Sequence, residues 1–425
     1  MDSLKKDGYL PRVIDAQVER YLKAFGAVEI AGTKWCGKTW TSLAHASSLT
    51  QLDNDGDRAA AQSDPKLALL GDRPHVIDEW QRVPAVWDAV RQGVDASSHV
   101  RGAWILTDSS TPAENPPAHS GAGRIGRLRM LPMSLAESGD SAAAVSLAGL
   151  FAGDFEPCKV DDDTLALVDL ACRGGWPEMV GDDAETAQLL ARSYLQALYQ
   201  QSGRRGKSPE LTERLVTSLA RNLGQACTYK TYAADMAGGD DAHDVDTIVS
   251  YLDLLRQQYV VDEVPGWVPP ARSPKRLRVK PKRYLADPSL AVAALGMDRA
   301  SLLHDWQTFG LVFEAMAMRD LEVYARALPN AATVPLRYYR DDSGLEADAI
   351  IELADGRWAA LEVKVGEDKL GEGVDSLRSL RTKLCENPKA RVRPPEFMAV
   401  IVGISQYARV VDEGIYCIPL RALGA

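Results

Sequence analysis

Gly32-Thr33-Lys34-Trp35-Cys36-Gly37-Lys38-Thr39 has the residue types and spacing of a phosphate-binding loop. Its two glycines let the backbone curl so that successive N–H groups point at one anion, and the helix that must follow adds its positive end. Lys38 is then placed to reach the outer phosphates of a nucleoside triphosphate, and Thr39 to ligate magnesium. Thr33, Lys34, Trp35 and Cys36 supply the cradle between the glycines.

Such a loop needs a carboxylate at the end of a neighbouring strand, and His75-Val76-Ile77-Asp78-Glu79 offers two. Asp78 is expected to hold the magnesium through water, and Glu79 to orient and deprotonate an attacking water. A kinase has no need of that base, so the pair favours hydrolysis over transfer to an acceptor. A third strand, Trp104-Ile105-Leu106-Thr107, ends in Asp108-Ser109-Ser110, where a hydroxyl could sense the terminal phosphate. Beyond it come Arg124, Arg127 and Arg129 among glycines. Arg124 is expected to act as an arginine finger on transition-state charge.

A second constellation lies near the C-terminus. Glu362-x-Lys364 sits on an expected strand and Asp348 on the strand before it, the D…E-x-K order of restriction-endonuclease-like nucleases, in which two acids bind magnesium and the lysine positions water. If Ala354-Asp355-Gly356 is a three-residue loop with Gly356 left-handed, Leu353 pairs with Arg357, Asp348 with Glu362 and Glu346 with Lys364. One face then carries Glu346, Asp348, Glu362 and Lys364, and the other Ala347, Ala349, Ile351, Leu361 and Val363. A two-residue turn would scramble both faces. Glu314 has no cation three or four residues away on its own helix, so it is a candidate further catalytic or metal-binding acid, with pairing to Arg337 as the bland alternative.

Between Arg272 and Arg283 lie Lys275, Arg276, Arg278, Lys280 and Lys282 without an acidic residue. This arm is the expected contact to nucleic acid phosphates. Asp244, Asp246 and Asp253 against Arg256 on the preceding helix would repel a major groove, so little base reading is expected.

The elements that position these residues follow from periodicity. Expected strands Ala27–Ala31, His75–Asp78 and Ala103–Thr107 alternate with amphipathic helices, the pattern of a parallel sheet covered on both faces. A 3.6-residue period then dominates, with helices expected over Leu189–Tyr199, Leu211–Asn222 and Val245–Gln257. The segment PGWVPPARSP and an expected strand Arg283–Ala286 make a hairpin with a long arm, and three helices plus that hairpin suggest a winged helix. One long helix from Leu302 to Leu328, strands Glu346–Leu353 and Trp358–Val365, a helix and a strand Phe397–Val402 make a third, α/β domain.

The composition fits this plan: of 425 residues 46% are hydrophobic and 25% charged, with a net charge of −10. That excludes a disordered or collagen-like chain and argues against a whole surface devoted to nucleic acid. No window holds the ~18 consecutive apolar residues a membrane span needs. The six cysteines form no C-x-x-C pair, so free thiols and a cytoplasmic location are expected.

The segments GTKWCGKT, VIDEWQRVPAVWDAVR, ILTDSS and HSGAGRIGRLRMLPMSLAE resemble AAA-type ATPases of bacteria and archaea that carry a C-terminal domain of unknown function. SLARNLG, SPKRLRVKPKRYLADPSLAVAAL and FGLVFEAMAMRDL resemble that C-terminal domain. Members usually carry glycine where this chain has Asp108, and a carboxylate there would sit close to the terminal phosphate. Arg173-Gly174-Gly175-Trp176-Pro177 resembles the turn that packs a helical lid against the nucleotide in signalling ATPases. The resemblance and the periodicity together imply an α/β chain: a P-loop NTPase domain over 1–145, a helical lid over 146–210, a winged-helix-like domain over 211–292 and a restriction-endonuclease-like domain over 293–425. The expected activity is an ATP- and Mg2+-dependent switch or motor coupled to a nuclease-like domain, or to a catalytically inactive platform of that shape.

Overall fold

Strands β1 (Ala27–Gly32), β2 (Ser48–Gln51), β3 (His75–Asp78), β4 (Trp104–Asp108) and β5 (Ile125–Met130) form one sheet in the order β2-β3-β4-β1-β5. Every pairing in it is parallel. The structure is a computed structural model. It describes all residues except 1–3, 98–99, 111–118, 162, 238–243, 270–272, 274–275, 277 and 388–389. Successive strand residues point to opposite faces, and both faces are covered. Val28, Ile30, Val76, Ile105 and Leu128 pack with Ile14, Val18 and Leu43. Ala27, Ile77, Trp104, Leu106 and Ile125 pack with Val86, Trp87 and Val90. The covering helices are α1 (Asp15–Ala24), α2 (Lys38–Ala44), α3 (Asp55–Ser63) and α4 (Ala85–Ala96).

Because β4 lies between β1 and β3, the C-terminal ends of all three meet at one edge. Asp108 at the end of β4 is paired with Ala31, next to Gly32 of the loop. Ligands of open parallel sheets bind at this edge.

The sheet belongs to a compact unit of Met1–Pro132 that also takes in Trp176–Glu178 and Leu255–Val260. The remaining residues form a second unit. Its first part holds α5 (Leu135–Ser138), β6 (Val145–Ser146), α6 (Leu147–Ala152), β7 (Cys158–Lys159), α7 (Thr164–Arg173) and α8 (Ala184–Arg204). Next come α9 (Pro209–Arg221), α10 (Tyr229–Ala237) and α11 (Val245–Gln257), then an antiparallel ribbon of β8 (Val261–Val264) and β9 (Lys282–Leu285). The three helices expected from periodicity fall on α8, α9 and α11, and the ribbon is the expected hairpin, whereas α10 was not expected.

After α12 (Pro288–Ala294), the expected single helix over Leu302–Leu328 is two, α13 (Arg299–His304) and α14 (Trp306–Ala327). Asp305 breaks it: its backbone leaves helical angles and its carboxylate caps the Thr308 N–H at 3.0 Å. Then follow β10 (Ala331–Arg340), β11 (Glu346–Leu353), β12 (Trp358–Gly366), α15 (Leu370–Cys385), β13 (Met398–Ile404), β14 (Tyr407–Asp412), β15 (Ile415–Pro419) and β16 (Leu423–Gly424). The sheet order is β10-β11-β12-β13-β15-β14-β7. Its heart is a helix, an antiparallel three-strand meander, a crossover helix and a parallel strand. Strand β10 escaped the sequence reading because Pro335 interrupts it; at a sheet edge the missing N–H costs little.

The hairpin of β11 and β12 has the expected register, with Glu352 opposite Trp358 and Ala349 opposite Leu361. Gly356 closes it at φ +83°. The strict alternation of faces fails, however, beyond Ala349. Arg337 pairs with Ile350 but Tyr339 pairs with Ala347, so Asp348 and Ala349 together oppose Tyr338 in a β-bulge. In consequence Ala347 packs in the same core as Ile350, Ala360, Val400 and Leu377, not on the opposite face.

Candidate functional sites

At the loop after β1, Gly37 has φ +102° and a Cβ there would meet Pro177 and Arg12 at 3.2 Å. A Cβ on Gly32 would lie 2.3 Å from the Met130 carbonyl, so both glycines are required by geometry. Lys38 is buried and donates to the Thr33 carbonyl at 2.9 Å. Cys36 is buried, while Lys34 and Trp35 are exposed. Arg12, which the sequence reading missed, buttresses the loop by donating to the carbonyls of Cys36 at 2.7 Å and Leu131 at 2.8 Å.

Thr39 Oγ1 donates to Asp78 Oδ1 at 2.9 Å, and Thr107 donates to the same oxygen. The two groups expected to serve magnesium are therefore already together. Glu79 sits at φ +57°, a conformation that costs a residue other than glycine about 1 to 2 kcal/mol. Its N–H donates to Thr107 Oγ1 at 3.1 Å, and its carboxylate accepts from Ser109 at 2.9 Å and from Gln81. Strand β4 thus fixes both acids, and Ser109 holds the candidate base.

Asp108 is 1% exposed, its Oδ1 has no hydrogen-bond partner, and its Oδ2 accepts the Tyr259 hydroxyl at 3.3 Å. Burial, with Glu29 and Glu79 nearby, outweighs the pull of Lys38 and pushes its pKa up to about 7.

Arg124 is not at this edge. It precedes β5 at the opposite end of the sheet, where its carbonyl accepts the Ala27 N–H, and its half-exposed guanidinium pairs with Asp95 at 2.8 Å. The six-residue strand β5 separates it from the loop by ~20 Å, too far to touch a nucleotide bound by the same chain. Arg129, paired with Ala31, is at the correct edge. It stacks on the Tyr259 ring at 4.3 Å and donates to the Tyr259 carbonyl at 3.2 Å. Strand direction was the signal that could have separated the two arginines.

In the C-terminal sheet the acids gather, but not around a shared open point. Asp348 accepts the Val363 N–H at 2.9 Å. Glu362 accepts from Lys364 at 2.7 Å and from Ser376 of α15 at 2.9 Å. Glu314 accepts the Tyr284 hydroxyl at 2.8 Å. Burial first, and the charge of Asp348 second, push Glu314 and Glu362 each up to about 7. Among them lies Lys282, whose Nζ is 2.8 Å from Glu346 and 3.4 Å from both Asp348 and Glu314. Arg337, the alternative partner for Glu314, pairs instead with Glu352 at 3.4 Å. Among the described residues no group of three or more His, Cys, Asp or Glu side chains is arranged to hold a metal ion. Lys282 thus fills the space beside Asp348, Glu346 and Glu314 in this arrangement.

The basic arm is also corrected. Arg272 and Lys275 lie outside the described residues. Arg276 pairs with Glu352, and Lys282 and Arg283 are only 4% and 3% exposed. Strand pairing explains this: β9 sets Arg283 opposite Glu263, to which it donates at 2.8 Å, and its guanidinium lies over the rings of Tyr229 and Tyr232. Only Arg278 and Lys280 remain exposed among the arm's described cations.

With this geometry in view, residues 25–139 match the family described as an AAA domain. Residues 25–139 form an AAA-type ATPase-like domain. Residues 164–301 and 309–423 match two domains of unknown function, DUF8612 and DUF4143 respectively. Uncharacterized proteins of Mycobacterium bovis and Mycobacterium tuberculosis are each 28% identical over 358 residues, spanning 82% of this chain and 72% of their own. The Walker-type ATPase of Pyrococcus abyssi has 12% identity and a TM-score of 0.45, covering 69% of this chain and 98% of its own. No helix among the described residues is long and apolar enough to cross a membrane.

Proposed function

We propose that the chain binds ATP with magnesium at the loop after β1 and hydrolyses it, and that the nucleotide state controls a nuclease-like C-terminal domain. The observation that carries this reading is the joining of Thr39 to Asp78 at 2.9 Å beside Lys38, with Glu79 held next to them. Magnesium, held by Thr39 and through water by Asp78, would neutralise charge on the outer phosphates. Glu79 takes a proton from water as the water oxygen bonds to the γ-phosphorus. The bond from that phosphorus to the bridging oxygen breaks, and ADP leaves with the electron pair.

The order helix, meander, helix, parallel strand supports a restriction-endonuclease-like reading of the C-terminal sheet, with Asp348 and Glu362 as magnesium ligands, Lys364 positioning water and Glu314 approaching from α14. Residues 211–292 are read as a winged-helix-like domain, with Arg278 and Lys280 left to meet phosphates. A second reading, a catalytically silent interaction platform, is favoured by the position of Lys282 among the acids. Incubating purified protein with labelled DNA and RNA, with Mg2+ and with or without ATP, tests both. ATP-dependent cleavage supports the nuclease; phosphate release without cleavage supports the platform; neither product refutes the proposal.

A further inference from the structure

Lys282 comes from β9, within the 164–301 match, whereas the acids it meets belong to the 309–423 match. One stretch of chain is therefore seated in the candidate site of another. The contacts continue along its length. The Lys280 carbonyl accepts the Tyr338 hydroxyl, Lys282 spans Glu346, Asp348 and Glu314, and Tyr284 donates to Glu314 at 2.8 Å. Just upstream, Arg276 pairs with Glu352 on β11. The Lys282 ammonium also lies over the Tyr338 ring at 5.5 Å. Burial alone would favour a neutral lysine, but the three carboxylates more than offset it and hold the charge in place.

We propose that residues 278–284 are an autoinhibitory strap whose Lys282 occupies the cation seat of the C-terminal acids, so that a divalent cation enters only when Lys282 withdraws. This rests on the reading of Asp348 and its neighbours as metal ligands. An ammonium group and a hard divalent cation compete for the same oxygen donors. While the lysine is seated, apparent metal affinity is reduced by the fraction of time the site is open. A lysine locked permanently in place would leave the parent chain with no Mn2+ binding at any concentration, whereas a withdrawing lysine leaves weak, saturable binding.

The test uses the full chain without nucleotide and Mn2+ alone as probe, followed by calorimetry or electron paramagnetic resonance. Lys282→Met is expected to bind one Mn2+ at least about tenfold more tightly than the parent, and Asp348→Asn in that background to abolish the gain. Lys282→Gln carries the same expectation should the methionine variant not fold, while Lys282→Arg is expected to keep the site closed. Folded Lys282→Met or Lys282→Gln protein with parental Mn2+ affinity overturns the strap. Labelled DNA added to the same samples separates this proposal from the nuclease reading. A variant that gains Mn2+ but cuts nothing refutes the nuclease and keeps the strap. A parent that cuts with Mn2+ as fast as the variant refutes the strap and keeps the nuclease.

Discussion

Both candidate sites combine lysine with carboxylates at the end of a sheet, yet they commit their charges differently. In the N-terminal domain Lys38 is held by a neutral carbonyl and Asp78 by two hydroxyls, so the full charges stay available to a ligand. In the C-terminal sheet Lys282 and Lys364 lie directly on Glu346, Asp348, Glu314 and Glu362. Charges paired in a dry interior are costly to separate. The first arrangement is therefore poised for an anion and a metal, and the second is closed upon itself.

The largest effect is expected at Lys38. Lys38→Ala is expected to weaken ATP binding by about a hundredfold, because a charge-assisted contact to phosphate is lost in a partly dry site. Unchanged affinity by calorimetry would mean the loop is not the nucleotide site. A smaller effect comes from Asp108, whose pKa lies at about 7. Below that pH the carboxyl is neutral; above it, a negative charge sits beside the incoming phosphates. ATP affinity is thus expected to fall by roughly tenfold as pH rises from 6 to 8, and Asp108→Asn to flatten the profile. A parental profile that survives this substitution places the titrating group elsewhere. The smallest effect is at the arm. Replacing Arg278 and Lys280 by glutamine is expected to lower the slope of log DNA affinity against log salt by no more than about 0.9 each. Arg283→Gln, by contrast, is expected to leave that slope alone and lower the melting temperature, since Arg283 serves Glu263 inside the fold.

What could be read from the sequence was local. The phosphate loop, its flanking strand and the acids after β3 depend on consecutive residues, and the β11–β12 register depends on a three-residue loop whose Gly356 takes the left-handed conformation. What escaped was set by distant partners. The bulge at Asp348 and Ala349 is imposed by pairing with Tyr338 on another strand. Lys282 read as part of a solvated basic run because nothing nearby in sequence shows that β9 pairs with β8 and carries it among acids. Tyr259 and Arg129 escaped for the same reason: their contact joins residues 130 positions apart.

ATP hydrolysis at the loop after β1 is tested most directly at Glu79. Glu79→Gln keeps Lys38, Thr39 and Asp78, so ATP should bind with parental affinity while single-turnover hydrolysis falls by roughly 10² or more. Hydrolysis at the parental rate in a folded, ATP-binding Glu79→Gln protein would contradict this assignment.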